Sequence, residues 1–109
     1  MLKRSYRLPA RTKISGSLHL AGALFTLRYA KSKEKESRFV FIVSKKVNKS
    51  AVVRNRIRRQ MSEGVADLLT KIKPGYDFLF TAKKNAQGKT TEEVYKEIES
   101  SIKKAELIK

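Results

Sequence analysis

The chain contains no cysteine, which excludes a disulfide framework and any thiolate metal site and suits a reducing compartment. It has no apolar stretch near the roughly 20 residues that span a bilayer. Its basic opening, Met1-Leu2-Lys3-Arg4, runs into Ser5-Tyr6-Arg7-Leu8-Pro9 instead of an apolar signal core. A soluble cytoplasmic protein with no membrane partner is the expectation. Also missing are the convergent carboxylates or paired histidines that a protein-only nuclease uses for metal or acid–base chemistry. The one histidine, His19, lies among Leu18, Leu20 and Ala21 and reads as a packed or surface side chain. Glu63, Asp67 and Asp77 are spread over different segments and read as surface or turn residues paired locally with Lys71 or Lys73. No catalytic residue and no protein-held metal are expected.

Acid is scarce as well, with 10 Asp and Glu against 26 Lys and Arg, a formal charge of +16. Such a balance is costly in self-repulsion unless a polyanion neutralises it, which points to nucleic acid. Its distribution is uneven. Residues 1–62 hold 17 Lys and Arg with only Glu34 and Glu36 as acids, whereas residues 63–109 hold 9 and 8, so the binding surface belongs to the first 62 residues.

At 109 residues the chain suits one domain spanning 1–109, with residues 1–17 read as an irregular basic arm. Ala23 to Tyr29 reads as a strand, with Phe25 and Leu27 on one face and Thr26 and Arg28 on the other. Lys31 to Ser37 reads as a hairpin loop, and Phe39 to Val43 as a strand covered on both faces. Asn48, Lys49 and Ser50 offer turn and N-cap chemistry ahead of a helix. Its apolar stripe is Val53, Ile57, Met61, Val65, Leu68 and Ile72, and Lys73-Pro74-Gly75 ends it. Tyr76 to Ala82 is a further strand and Asn85 to Lys89 a loop. Thr90 with Glu93 then forms a capping box for a last helix carrying Val94, Ile98 and Ile102.

Between Ser44 and Ser62 lie Lys45, Lys46, Lys49, Arg54, Arg56, Arg58 and Arg59 and no acid. Helical spacing puts Asn55 and Arg59 opposite the apolar stripe, Arg56 and Arg58 on its flanks, and Arg54 nearer to it, reaching outward from the first turn. Arginine presents a planar fork to phosphate, and a helix N-terminus adds unpaired N–H groups and a positive dipole end. Asn55 can both donate and accept, so it suits a backbone turn or a base or ribose edge. Tyr6 and Tyr29 are the aromatics considered for base stacking.

The run Phe41-Ile42-Val43-Ser44-Lys45-Lys46-Val47, followed by Ala51-Val52-Val53-Arg54-Asn55-Arg56-Ile57-Arg58-Arg59, resembles the signature of the bacterial ribonuclease P protein subunit. The likeness extends through Arg7-Leu8, Leu24-Phe25-Thr26-Leu27, Tyr76-Asp77-Phe78 and the final helix. It implies an α+β single-domain sandwich, ribosomal-protein-like, with a central mixed sheet, the Arg-Asn-Arg helix in a left-handed β-α-β crossover, and a C-terminal helix. It also implies that Lys45, Lys46, Lys49, Arg54, Asn55, Arg56, Arg58 and Arg59 dock on ribonuclease P RNA. The 5′ leader of precursor tRNA would be met by Thr26, Arg28, Tyr29 and Lys46. In that family the RNA does the cutting, so Mg2+ is expected mainly on the RNA, and no protein partner is implied. Three departures stand out: the stretch from Leu8 to Leu24 is short and lacks the family's Phe-containing first helix, Arg28 beside Tyr29 replaces an outward aromatic, and Ser62 replaces a basic residue. The alternative from another class is a non-catalytic, ribosomal-protein-like RNA-binding or RNA-chaperone module. A DNA-binding protein is disfavoured because helix-turn-helix spacing is not seen.

Overall fold

A computed structural model describes residues 6–8 and 18–109. The strands are β1 (Leu18–Ala21), β2 (Phe25–Lys31), β3 (Arg38–Ile42) and β4 (Tyr76–Ala82); the helices are α1 (Ala51–Leu68) and α2 (Thr91–Lys104). They form an α+β sandwich in which the strands make one mixed sheet of order β1-β2-β4-β3. β2 is antiparallel to both neighbours, while β3 and β4 run parallel and are joined through α1.

Alternation along the strands divides the sheet. Phe25 and Leu27 of β2, Phe39 of β3, and Phe78 and Phe80 of β4 share one buried core with Ile57, Met61 and Val65 of α1 and Val94, Ile98 and Ile102 of α2. The rings Phe39 and Phe78, direct partners across the parallel pair, stack at 4.9 Å. The other face carries His19, Thr26, Arg28, Arg38, Val40, Asp77, Leu79 and Thr81. On β3 both Phe39 and Val40 are buried, whereas Phe41 and Ile42 are half-buried, so its double coverage is only partial.

Several expectations are corrected. Lys31 to Ser37 does not close a hairpin, because β4 is inserted between β2 and β3. The reason lies in Ser37, which is buried: its hydroxyl donates to the Lys73 carbonyl at 2.8 Å and accepts the Tyr76 N–H at 3.1 Å, fixing the start of β3 beside β4. Asp77 accordingly pairs with Arg38 at 3.4 Å instead of with Lys71 or Lys73. The apolar run from Leu18 folds as a hairpin of two strands. Its turn is anchored by Leu24 N–H donating to Glu97 Oε2 at 3.2 Å and by Lys83 Nζ donating to the Gly22 carbonyl at 2.6 Å. A side chain at Gly22 would collide with the Glu97 carboxylate. The arm is not wholly irregular, since Arg7 bridges to Phe39 in parallel and Leu8 N–H donates to the Phe39 carbonyl at 2.8 Å. Of the stretch from Leu8 to Leu24, expected to lack a first helix, residues 9–17 lie outside those described and Leu18–Ala21 forms β1.

α1 stops at Leu68, followed by a 3-10 turn, and Ile72 bridges to Ile108 near the C-terminus instead of continuing the stripe. The loop after β4 contains a 3-10 turn, Lys84–Ala86, whose Ala86 is buried. Where the helices meet, a Cβ on Gly64 would sit 3.0 Å from the Tyr95 ring, so glycine permits the close approach. Desolvation raises the Tyr95 phenol pKa above its usual value, with Glu63 and Asp67 adding to the shift.

The expected capping box forms: Thr90 Oγ1 accepts the Glu93 N–H at 3.2 Å and Glu93 Oε2 accepts the Thr90 N–H at 2.8 Å. That backbone N–H holds the Glu93 carboxyl below its ordinary value of 4.5, Lys89 and the Thr90 hydroxyl helping. Thr90→Ala is expected to lower stability by about 1 kcal/mol at neutral pH. Because Glu93 ionises more readily when folded, its share is present above the unfolded value and is lost as pH falls through the folded one. The melting difference between wild type and Glu93→Ala should therefore narrow on acidification; a gap independent of pH would remove Glu93 from the cap.

Candidate nucleic-acid interface

The first turn of α1 is built by its approach. Asn48 Oδ1 accepts the Ser50 N–H at 2.8 Å, which turns the chain, and the Ser50 hydroxyl accepts from Val53 N–H at 3.4 Å as N-cap. No acid occupies that turn, so the positive end of an 18-residue helix is unopposed. Around it Lys45, Lys46, Lys49, Asn55, Arg56 and Arg59 are exposed and Arg54 and Arg58 half-buried. One continuous stretch thus supplies a helix end, a preceding turn and two turns of helix, all cationic and facing water. Such a surface can accept a phosphate backbone.

Three members of the expected set have side chains engaged within the protein. Arg54 does not simply reach outward: its Nη1 donates to the carbonyls of Asn48 at 3.0 Å and Lys49 at 2.8 Å, drawing the preceding turn onto the helix. Arg58 Nη1 donates to Asn55 Oδ1 one turn earlier, so Asn55 steers a guanidinium. Of the α1 arginines, Arg56 and Arg59 are the two that are exposed.

The residues expected at a leader are only partly brought together. Thr26 and Arg28 share the sheet face away from the helices, with His19 directly across from Arg28 on β1. Tyr29 lies on the core side, half-buried and stacked on Phe78 at 6.4 Å, and does not join them. Lys46 sits in the turn beyond β3, separated from β2 by the width of β4. Tyr6 is also packed against the core.

Two grooves flank the helix. One of about 230 Å³, lined by Leu8, Phe39, Val40 and Phe41 with Arg7, Arg58 and Arg59, adjoins the basic face. A larger one of about 370 Å³ lies between α1 and α2 and is lined by Asp67, Glu92 and Glu99, which repel an anion, so greater size does not make it the phosphate site. Among the described residues no cluster of three His, Asp or Glu is placed to hold a metal. Sequence reasoning passed over Val52, 77% exposed beside the basic residues, and over the side-chain bond from Asn48 Nδ2 to Gln87 Oε1 at 2.8 Å. Neither belongs to the apolar period or to the charge pattern, the two signals that the sequence offered.

A family described as Ribonuclease P matches residues 2–106. The ribonuclease P protein component of Synechococcus elongatus is 34% identical over a 116-residue alignment that covers 98% of this chain and 95% of that one. The component from Roseiflexus castenholzii is 41% identical over 90 residues, covering 78% and 72%. Among solved structures, a Staphylococcus aureus RNase P protein mutant with defective mRNA degradation activity superposes with a TM-score of 0.82. It is 25% identical over 95% of this chain and 91% of that one. The RNase P protein from Thermotoga maritima shares the fold, with a TM-score of 0.75 at 19% identity over 82% and 84% of the two chains.

Proposed function

This chain belongs to the ribonuclease P protein family, components of a tRNA-processing ribonucleoprotein nuclease, and on that premise we propose that it docks on the catalytic RNA of ribonuclease P and supports removal of the 5′ leader from precursor tRNA. The observation that carries this reading is the acid-free surface of Lys45, Lys46, Lys49, Arg56, Arg58 and Arg59 gathered around the unopposed N-terminus of α1. Its cations lower the repulsion between two polyanions, the RNA subunit and its substrate. Hydrolysis and the Mg2+ it uses are assigned to the RNA; no protein side chain takes a proton or a metal. The proposed setting is the cytoplasm, and among the described residues no helix is long and apolar enough to cross a membrane.

The test is cleavage of a precursor tRNA by a bacterial ribonuclease P RNA at low Mg2+, with and without the protein. Correct 5′ cleavage that depends on the protein is expected. Tight RNA binding without any rescue, the cognate RNA included, would favour the RNA-chaperone reading instead.

For the leader, Arg28 and Thr26 on the open sheet face are the proposed contacts, with Lys46 extending them. Tyr29 sits behind the sheet and supports β2 from the core side. Arg28→Ala is expected to weaken binding of leader-bearing precursor by about fivefold, the scale of one phosphate contact, while leaving mature tRNA unchanged. Equal losses for both would discard the leader assignment.

A further inference from the structure

We propose that Asn48, Gln87 and Arg54 form a positioning bracket that holds the RNA-docking end of α1 in its binding shape; this rests on the RNA-docking reading above. Asn48 is the hub. Its side-chain oxygen accepts the Ser50 N–H, its backbone carbonyl accepts from Arg54 Nη1, and its amide nitrogen donates to Gln87 Oε1. Since the oxygen is already committed to an N–H, the end of the amide facing Gln87 must be the donor, which fixes the orientation of both side chains.

Gln87 is itself seated. Its Nε2 and its backbone N–H both donate to the Lys84 carbonyl, each at 3.2 Å, on the turn whose Ala86 is fully buried. From the third turn of α1, Gln60 Nε2 donates to the Lys89 carbonyl at 3.2 Å. The second half of the loop between β4 and α2 is therefore fastened to the basic region at two points, Gln87 and Lys89. Arg54 completes the bracket by tying two successive carbonyls, Asn48 and Lys49, to the flank of the helix.

This arrangement holds the segment bearing Lys45, Lys46 and Lys49 in place before RNA arrives. A free turn would have to be ordered on binding, and that ordering costs affinity without altering the number of phosphates contacted. Arg54 thus acts through the turn, whereas Arg56 and Arg59 meet phosphate.

The difference is measurable as affinity against salt dependence for a transcribed bacterial ribonuclease P RNA. Gln87→Met and Arg54→Ala are each expected to weaken binding about three- to tenfold with the salt slope unchanged, and to speed hydrogen exchange at Ser50 to Val53. Arg56→Ala should lower the slope by about one contact. A slope that falls in Arg54→Ala as it does in Arg56→Ala would make Arg54 a phosphate ligand and overturn the bracket. Wild-type affinity in Gln87→Met would overturn it too. Unchanged affinity and slope in Arg56→Ala would instead sink the docking reading beneath it.

Discussion

Replacing Arg56, Arg58 and Arg59 together with alanine is expected to weaken binding to ribonuclease P RNA by about a hundred- to a thousandfold. Each guanidinium that meets phosphate contributes on the order of 1 to 1.5 kcal/mol net, and three such losses multiply. The salt dependence should fall by about two to three contacts. Arg54 is left in place because its two carbonyl bonds would confuse lost contact with a loosened turn. Folding is expected to survive, since Arg56 and Arg59 are exposed and, among the described residues, Arg58 is bonded only to the exposed Asn55. Removing three like charges also relieves self-repulsion. A folded variant with the wild-type salt slope would show that the basic face is merely solvated.

The largest loss of stability is expected from Phe78→Ala, at about 4 kcal/mol or a melting point lower by about 15 to 30 °C. Phe78 is fully buried on the strand that both β2 and β3 pair with. It stacks on Phe39 at 4.9 Å, with the rings of Tyr29 and Tyr76 each 6.4 Å away, so truncation leaves a void walled by rings on three strands. Leu79→Ala on the same strand, half-buried and on the other face, serves as the control and should cost far less. Thermal melts of the two variants decide it; similar losses would mean that the core is not organised about Phe78.

Much of this was legible from residue order. The helix stripe as far as Leu68, the capping box at Thr90 and Glu93, and the basic face all follow from local periodicity and charge, and the structure has them. What was hidden depends on partners distant in sequence. Nothing local says that Ser37 binds the Lys73 carbonyl, and without that bond Lys31 to Ser37 looks like a hairpin loop. Gln60 and Gly64 break the apolar stripe of α1, yet both are buried because the chain crosses there, Gly64 beneath Tyr95 and Gln60 against the Lys89 carbonyl. The basic residues were found by composition, but their division of labour was not. Arg54 and Arg56 are indistinguishable as letters, and only the carbonyls of Asn48 and Lys49 separate them.

The sheet order also governs how this chain emerges from a ribosome. Among the described strands, β4 alone pairs with both β2 and β3, and it is the last of the four to be synthesised. Phe25 waits for Ala82, and Arg38 for Asp77, before either gains its neighbour. Contacts so distant along the chain make folding slow, because the loop must close before any pairing rewards it. During that interval the basic segment, complete by Ser62, is displayed without the strand that completes its scaffold, and its like charges repel one another. Under the proposed docking, RNA that binds only the finished fold would draw folding forward by mass action.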